Sequence, residues 1–326
     1  MDLKGKSLLV TGGTGSFGQK FVDLILAVAP DLDRLIVFSR DELKQHDMAL
    51  RVRDPRLRFF IGDVRDVERL QRAFNDVDYV VHTAALKQVP ACEYNPLEAV
   101  KTNVIGAENI INAAIDRGVK RVLALSTDKA VNPVNLYGAT KLCAEKLFIQ
   151  GNAYSRYGEP KFSCVRYGNV VGSRGSVIPV FAKQRETGTV SITDKRMTRF
   201  WITLDQGVQF VLHCLERMQG GEVFVPKIPS MNILNLADAI APGCRTEITG
   251  IRPGEKLHEV LVSTDEARHA LELPEMYVIK PAHAWWKMES WQEGKPLPDG
   301  FTYTSETNSE WLSGDDLRKM VADVIG

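Results

Sequence analysis

The feature of this sequence that most constrains its fold is a series of short apolar runs separated by longer segments of helical period. The runs are rich in Val, Ile and Leu and lack the apolar/polar alternation of a strand with one solvated face. Such strands, separated by helices, are typical of a parallel sheet covered on both faces. The sequence therefore predicts a doubly wound α/β fold. The predicted strands are residues 7–11, 35–38, 57–61, 79–83, 122–126 and 162–165.

The segments between these strands carry helix signals, and the pattern changes in the second half of the chain. Helices are predicted over residues 16–30, 95–118 and 137–157. After Gly172 the elements become shorter and richer in Pro and Gly. We therefore predict a Rossmann domain over residues 1–172 and a smaller α+β cap, mainly for substrate binding, over residues 173–326.

Charge, hydropathy and cysteine spacing argue against several classes of partner. Forty-one basic residues balance 41 acidic ones, so no net charge favours nucleic acid or an anionic membrane. No apolar run approaches the ~20 residues of a membrane span, and the first residues lack a signal-peptide core. The five cysteines have no metal-binding spacing. We expect a soluble, cytoplasmic protein that binds no metal, nucleic acid or membrane.

A glycine-rich turn follows the first predicted strand. Gly12, Gly15 and Gly18 have the spacing of turns that approach a pyrophosphate closely and direct helix N–H groups at it. The strand before and the helix after favour a dinucleotide site over an ordinary surface turn. Ser16 and Phe17 complete the predicted contacts of this turn.

The tip of the second strand bears on the choice of cofactor. Ser39 and Arg40 stand where an acidic residue would bind the ribose 2′-OH of NAD, and Lys44 follows one turn later. Cations here suit the 2′-phosphate of NADP, which we predict as the cofactor. Asp41 keeps NAD as the alternative, although it would also serve as a helix N-cap.

Further cofactor contacts are predicted at two other strand ends. Asp63 and Val64 follow the third strand, where they could meet the adenine ring, although the same pair also fits an ordinary strand-end turn. Ala84 follows the fourth strand, and its small side chain leaves room for a cofactor to pass along the sheet.

The segment after the fifth strand carries the candidate catalytic groups. Tyr137 and Lys141 are four residues apart and share one face of a predicted helix. A free tyrosine has a pKa near ~10, so a tyrosine base at neutral pH needs nearby positive charge, which Lys141 and an oxidised nicotinamide would provide. Ser126 or Thr127 would hold the same substrate oxygen. This arrangement indicates a nicotinamide enzyme that oxidises an alcohol.

Together these motifs resemble the extended short-chain dehydrogenase/reductases. The glycine turn, Asp63-Val64, Asn103, the Ser/Thr pair and Tyr-x-x-x-Lys stand in that family's order. Residues 126–133 (Ser-Thr-Asp-Lys-Ala-Val-Asn-Pro) and 84–90 (Ala-Ala-Leu-Lys-Gln-Val-Pro) resemble UDP-N-acetylglucosamine 4,6-dehydratases, especially the soluble inverting branch that begins pseudaminic acid synthesis. Membrane-anchored retaining relatives often have methionine in place of Tyr137. The resemblance implies a homo-oligomer, either hexamer or dimer.

The resemblance also implies a reaction. Oxidation of the hexose at C4 acidifies the C5 proton; Lys129 would remove that proton, Asp128 would help the C6 hydroxyl leave as water, and the hydride would return to C6. The product would be UDP-2-acetamido-2,6-dideoxy-β-L-arabino-hex-4-ulose. This chemistry needs an uncharged Lys129 and a protonated Asp128, which burial favours and a close ion pair opposes. The alternatives are a sugar-nucleotide 4-epimerase, a retaining dehydratase and a non-catalytic NADP-binding protein.

The predicted substrate contacts lie on three further segments. Lys87 follows the fourth strand and could reach a phosphate or the sugar, although it could equally be a solvated loop lysine. Asn169, after the sixth strand, is a candidate for the diphosphate, and the resemblance implies that Arg252 and Glu255 bind the nucleotide. The next predicted contacts along this path are Arg174, Gly175, Ser176 and Val177.

Overall fold

The computed structural model describes residues 2–155, 158–172, 177–282, 291 and 293–325. The first half of the chain gives the main sheet six parallel strands in the order β3-β2-β1-β4-β5-β6, which is the doubly wound order of dinucleotide-binding folds. The predicted fold class is confirmed, and each predicted strand is correct to within one residue at either end. The strands are β1 (Ser7–Thr11), β2 (Arg34–Ser39), β3 (Leu57–Ile61), β4 (Tyr79–His82), β5 (Arg121–Leu125) and β6 (Lys161–Val165).

Helices cover this sheet. The sequence patterns did not reveal the second, third and fourth of them, which are short or largely polar. Asp41 caps the second helix and Asp66 caps the third, each by accepting a hydrogen bond from a backbone N–H group. The helices of this half are α1 (Ser16–Val28), α2 (Glu42–Arg51), α3 (Val67–Ala73), α4 (Val89–Tyr94), α5 (Pro96–Val100), α6 (Gly106–Asp116) and α7 (Leu136–Gly151).

Two predicted helices differ from the observed ones. The helix predicted over residues 95–118 is divided into α5 and α6 by a π-helical turn, Lys101–Ile105. The helix predicted to reach residue 157 ends at Gly151, followed by a 3-10 turn, Asn152–Tyr154. The side chain of Asn152 explains this end, because its amide binds the carbonyls of Phe148 and Ile149 and both backbone groups of Phe162 in β6.

The second half of the chain forms short strands and five helices within the described residues. Three small sheets pair β7 with β9 and β11, β8 with β12, and β13 with β17. No helix among the described residues is both long enough and apolar enough to cross a bilayer. The elements are β7 (Asn169–Val170), α8 (Val177–Arg185), β8 (Thr189–Ile192), β9 (Thr198–Ile202), α9 (Leu204–Arg217), β10 (Val223–Pro226), β11 (Ser230–Asn232), α10 (Ile233–Ile240), β12 (Arg245–Ile248), β13 (Val260–Val262), α11 (Thr264–Ala267), β14 (Ala270–Glu272), β15 (Met276–Ile279), β16 (Lys295–Pro296), β17 (Tyr303–Thr304) and α12 (Gly314–Ile325).

The second half also contributes to the main sheet. Strand β10 adds to β6 in parallel, and β15, β14 and β16 continue the sheet antiparallel. Helix α9 packs on α1 and β5, whereas α8, α10 and α12 surround a separate apolar core. The predicted boundary at residue 172 therefore does not coincide with an edge of the sheet.

A buried ion cluster joins the two halves. Arg166, which follows β6 and is 1% exposed, binds Glu145 of α7 at 2.6 Å and Glu266 of α11 at 2.9 Å. It also donates to the carbonyl of Leu261 in β13. Burial opposes the charge on Arg166, but the two carboxylates outweigh it and raise its pKa above the ordinary value. This cluster fixes the second half against the helix that carries Tyr137.

Candidate active site

The carboxyl ends of the parallel strands open into one cleft of about 660 Å³. It lies where the strand order reverses between β1 and β4, the usual ligand position in such sheets. Among the predicted catalytic and substrate residues, Thr127, Lys129, Lys87 and Asn169 line it. The predicted cofactor residues all line it as well: Gly12, Gly15, Ser16, Phe17, Gly18, Ser39, Arg40, Lys44, Asp63, Val64, Ala84, Tyr137 and Lys141.

The glycine turn has the geometry that a closely approaching diphosphate needs. Gly12 has a φ of +66°, and a Cβ there would lie 2.8 Å from the hydroxyl of Thr83. A Cβ at Gly18 would lie 2.4 Å from Cα of Gly13, so the helix packs directly on the turn. Helix α1 begins without a side-chain cap or an acidic residue in its first turn. Its N-terminal N–H groups are therefore available to an anion.

At the tip of β2, the acidic residue is engaged by its own helix. Asp41 accepts a hydrogen bond from the backbone N–H of Lys44, and the Lys44 ammonium binds the same carboxylate. Asp41 therefore has the N-cap role that the sequence left open. Arg40 lies at the rim of the cleft, 3.4 Å from the Asp63 carboxylate. Burial works against ionisation of Asp63, but hydrogen bonds from Arg65 and the charge of Arg40 lower its pKa.

The loop after β4 is anchored by Asn103 in the π-helical turn. The Asn103 amide accepts from the N–H of Leu86 and donates to its carbonyl, both at 2.9 Å, and also donates to the Thr140 hydroxyl in α7. This places Lys87 at the mouth of the cleft. Lys87 is exposed, but the cleft walls around its ammonium group and the charge of Lys129 lower its pKa.

Helix α7 packs tightly against the 3-10 turn Asp128–Ala130. A Cβ at Gly138 would lie 2.1 Å from the carbonyl oxygen of Lys129, so only glycine permits this approach. Lys141 is buried and donates to the carbonyl of Leu125 at 2.6 Å, at the end of β5. Burial lowers the pKa of Lys141. These contacts fix Tyr137 and Lys141 relative to the 3-10 turn that carries Asp128 and Lys129.

Tyr137 is protonated at neutral pH in this ligand-free arrangement. Burial raises the pKa of its phenol to about 12, although the charge of Lys129 and a hydrogen bond with Thr127 act in the opposite direction. A tyrosine base therefore needs further positive charge, which the sequence argument assigned to Lys141 and an oxidised nicotinamide. In the structure the Lys141 ammonium donates to the Leu125 carbonyl, and the charge that lowers the Tyr137 pKa is that of Lys129.

Asp128 and Lys129 form a close ion pair. Such a pair disfavours the neutral Lys129 and protonated Asp128 that the predicted reaction needs. Asp128 is completely buried, and its Oδ1 accepts from Lys129 Nζ at 3.0 Å and from the Thr127 hydroxyl at 2.8 Å. Its Oδ2 is buried and makes no hydrogen bond with the residues that the structure describes. Burial disfavours the Lys129 ammonium, but Asp128 and a second carboxylate, Glu259, outweigh it and raise the Lys129 pKa above its ordinary value.

No role was predicted from the sequence for Glu259 or Lys256, two further charged groups near Lys129. The carboxylate of Glu259 lies 3.7 Å from Lys129 Nζ, 3.7 Å from Arg199 Nε and 4.0 Å from Lys256 Nζ. The only local signal was the proximity of Lys256 and Glu259 to the Arg-Pro-Gly-Glu motif. Their contact with the catalytic turn arises from tertiary packing and has no periodicity in the sequence.

Several predicted substrate residues are not gathered in the cleft. Arg252 has a side chain 74% exposed and lies 3.9 Å from Glu255, and neither residue lines the cleft. Val177 begins α8 and does not line it either. Arg174, Gly175 and Ser176 lie outside the described residues.

Several polar side chains of the cleft have a buried atom that lacks a hydrogen bond in the described residues. Ser126 Oγ, Asn169 Oδ1 and Thr102 Oγ1 make no hydrogen bond within the described chain, and all three residues line the cleft. Buried polar groups are normally paired, so their clustering here indicates that a polar ligand completes the site.

The chain is similar to known proteins along most of its length. Residues 8–281 match the family model described as polysaccharide biosynthesis protein. A Campylobacter jejuni protein named UDP-N-acetylglucosamine 4,6-dehydratase (inverting) is 50% identical, and the match covers 99% of each chain. A Rickettsia conorii protein named UDP-glucose 4-epimerase is 46% identical over 84% of this chain and 82% of its own.

Two solved structures share the fold. Pen from Bacillus thuringiensis has a TM-score of 0.89 and 36% identity, with 99% of each chain covered. DesIV from Streptomyces venezuelae, a dTDP-glucose 4,6-dehydratase solved with NAD and TYD bound, has a TM-score of 0.69 and 28% identity; 77% of this chain and 86% of that chain are covered.

Proposed function

This chain belongs to the polysaccharide biosynthesis protein family and has the extended short-chain dehydrogenase/reductase fold, and from that premise we propose that it is an NADP-dependent, inverting UDP-N-acetylglucosamine 4,6-dehydratase. One observation carries the proposal: Lys129 and Tyr137 line a single cleft, and the buried Asp128, which does not line it, is hydrogen-bonded to Lys129. The similarity to the Campylobacter jejuni enzyme over 99% of each chain supports it. The proposal extends to a cytoplasmic homo-oligomer that serves pseudaminic acid synthesis, as the family resemblance implies.

We expect the cleft to hold a dinucleotide beside the glycine turn and a sugar beside Lys129 and Tyr137. The glycine turn and the N-terminus of α1 would hold the pyrophosphate. When bound, a nicotinamide accepts hydride from C4 and returns it at C6. Tyr137 would take the proton of the C4 hydroxyl, while Ser126, whose hydroxyl is unpaired, would hold the same oxygen. Asn169 would offer its unpaired carbonyl oxygen to the substrate.

The Asp128–Lys129 hydrogen bond offers a route to the protonation states that elimination needs. In the ligand-free protein the proton of this 3.0 Å contact belongs to Lys129. Its transfer to Asp128 would leave a neutral amine and a carboxylic acid without any exchange with solvent. Lys129 would then accept the C5 proton, and Asp128 would donate its own to the departing C6 hydroxyl, so that water leaves and both residues regain their starting charges. After hydride returns to C6, a proton from solvent would complete C5 on the opposite face, and Tyr137 would release the C4 hydroxyl proton to solvent.

The reaction itself is the test of this proposal. Incubation of the protein with UDP-N-acetylglucosamine and NADP in deuterated water should give a 4-keto-6-deoxy sugar nucleotide. Proton NMR should show deuterium at C5 and inversion of its configuration. An epimerase, which the Rickettsia relative's name makes the second candidate, would give the C4 epimer without deuterium at C5. Either that product or the absence of turnover would contradict the proposal.

The preference for NADP depends on Arg40. We expect Arg40→Ala to weaken NADP binding by about 10- to 100-fold, because a charge-assisted contact to the 2′-phosphate would be lost, and to change NAD binding little. Calorimetric titration of both cofactors measures this. Arg72→Ala, a change at an exposed arginine of α3 that does not line the cleft, is the control. Equal affinities of the unmodified protein for NAD and NADP would overturn the NADP assignment.

A further inference from the structure

We propose that Glu259 is a positioning residue for Lys129: a second buried carboxylate that holds the Lys129 amine in place and strengthens it as a base. The importance of this role in turnover depends on the proposed dehydration, in which Lys129 removes the C5 proton. The effect on the amine itself depends only on the ligand-free arrangement, and it can be measured without substrate.

The Glu259 carboxylate acts on Lys129 through charge. Its Oε1 lies 3.7 Å from both Lys129 Nζ and Arg199 Nε, and its Oε2 lies 4.0 Å from Lys256 Nζ. These separations exceed hydrogen-bond length, and Oε2 is buried without a hydrogen bond in the described chain. Glu259 is only 3% exposed, so water screens these interactions weakly. A group that served packing alone would not need a carboxylate here.

The backbone of Glu259 is held firmly in place. Its N–H donates to the Ser305 hydroxyl at 2.9 Å, and the N–H of Ser305 donates to the Glu259 carbonyl at 2.8 Å. Ser305 in turn contacts the Thr198 hydroxyl at 2.7 Å. Glu259 directly precedes β13, which pairs with β17. The position of the Glu259 carboxylate near Lys129 is therefore fixed by hydrogen bonds within the second half of the chain.

The balance of charge around Lys129 explains why one carboxylate matters. The 3-10 turn supplies Asp128 and Lys129, β9 supplies Arg199, and the segment before β13 supplies Lys256 and Glu259. Three cations thus face two carboxylates. Without Glu259, three cations would face Asp128 alone, and their mutual repulsion would favour loss of the Lys129 proton.

More distant groups complete the surroundings. Lys87 and the Tyr137 phenol both respond to the charge of Lys129. His258, adjacent to Glu259, contacts the Thr198 hydroxyl through Nδ1 and lies 3.5 Å from Glu306 through Nε2.

This arrangement stabilises the charged Lys129 that proton abstraction from the sugar would produce. Positive charge develops on Lys129 as it takes the C5 proton, and a carboxylate already fixed 3.7 Å away stabilises that charge without reorganising. Glu259 would thereby make Lys129 a stronger base, while Asp128 remains available to deliver its proton at C6.

The first test measures the amine directly. Limiting acetic anhydride acylates only neutral amines, so mass spectrometry of the labelled ligand-free protein at a fixed mildly alkaline pH reports how much Lys129 is neutral. We expect Lys129 in Glu259→Gln to react about tenfold faster than in the unmodified protein, which corresponds to a one-unit fall in pKa. Lys195, which is exposed, serves as the internal reference. Glu306→Gln, which removes a nearby exposed carboxylate, should leave the rate unchanged.

An unchanged rate at Lys129 in Glu259→Gln would overturn the proposal. If this variant fails to fold, which labelling of the buried Lys141 would reveal, then Glu259→Asp decides instead. That change moves the carboxylate away from Lys129 by one methylene group and should raise the acetylation rate of Lys129 severalfold. No increase in that rate would count against the role of Glu259.

The second test follows the C5 proton during turnover. If Lys129 acts as the base, Glu259→Gln should slow its removal, so that a substrate deuterated at C5 shows a larger kinetic isotope effect on kcat than with the unmodified protein, whereas Glu306→Gln should leave the isotope effect unchanged. A loss of activity with an unchanged isotope effect would mean a purely structural role and would contradict the proposal. If the unmodified protein shows no dehydration, the proposed function fails, but acetylation still decides whether Glu259 controls Lys129.

Discussion

Replacing Lys129 with glutamine should lower the rate of 4,6-dehydration by about a thousandfold, which is within the range expected for loss of a general base. Glutamine can still donate a hydrogen bond to Asp128, and Arg199 and Lys256 still face Glu259, so the fold should survive. Tyr137 is untouched, so oxidation at C4 should proceed once. Under single-turnover conditions, reduced nicotinamide should accumulate and no deuterium should enter C5.

The matched control is Lys195→Gln, a change at an exposed lysine that does not line the cleft. It should retain full activity. If Lys129→Gln forms product within about tenfold of the normal rate, Lys129 is not the base. If it instead forms the C4 epimer at an undiminished rate, the enzyme is an epimerase and the proposed elimination is wrong.

Replacing Tyr137 with phenylalanine should block an earlier step. Loss of the phenol removes the group that would take the C4 hydroxyl proton, and we expect C4 oxidation to slow by about 100- to 10,000-fold. In contrast to Lys129→Gln, this variant should accumulate no reduced nicotinamide when mixed with NADP and substrate. Its absorbance therefore separates the two defects. Tyr154→Phe, at a tyrosine 74% exposed, is the control.

The pH dependence of C4 oxidation follows from the Tyr137 pKa, which burial raises to about 12. Because the phenolate is the active form, single-turnover oxidation by the unmodified enzyme should accelerate as pH rises above neutrality, and Tyr137→Phe should lose this acceleration. A pH profile that is the same in both proteins would contradict the assigned role of Tyr137.

The features that could be predicted from the sequence are those determined by residues close together along the chain. Buried parallel strands need continuous apolar runs, and a close phosphate turn needs glycine at Gly12 and Gly18, so both leave marks in the sequence. The carboxylate of Glu259 leaves no such mark, because its effect depends on Lys129, 130 residues earlier. The ionic state of Lys129 was likewise open until the contact with Asp128 was known.

The junction between the two halves also limits how the enzyme can move. Rotation of the second half of the chain as a rigid body about a flexible linker would break the hydrogen bonds between β6 and β10. It would also pull Arg166 away from Glu145 or Glu266 and leave a buried charge without compensation, a cost of about 3–5 kcal/mol. Entry of substrate and departure of product must therefore depend on small displacements at the rim of the cleft rather than on an opening of the whole molecule.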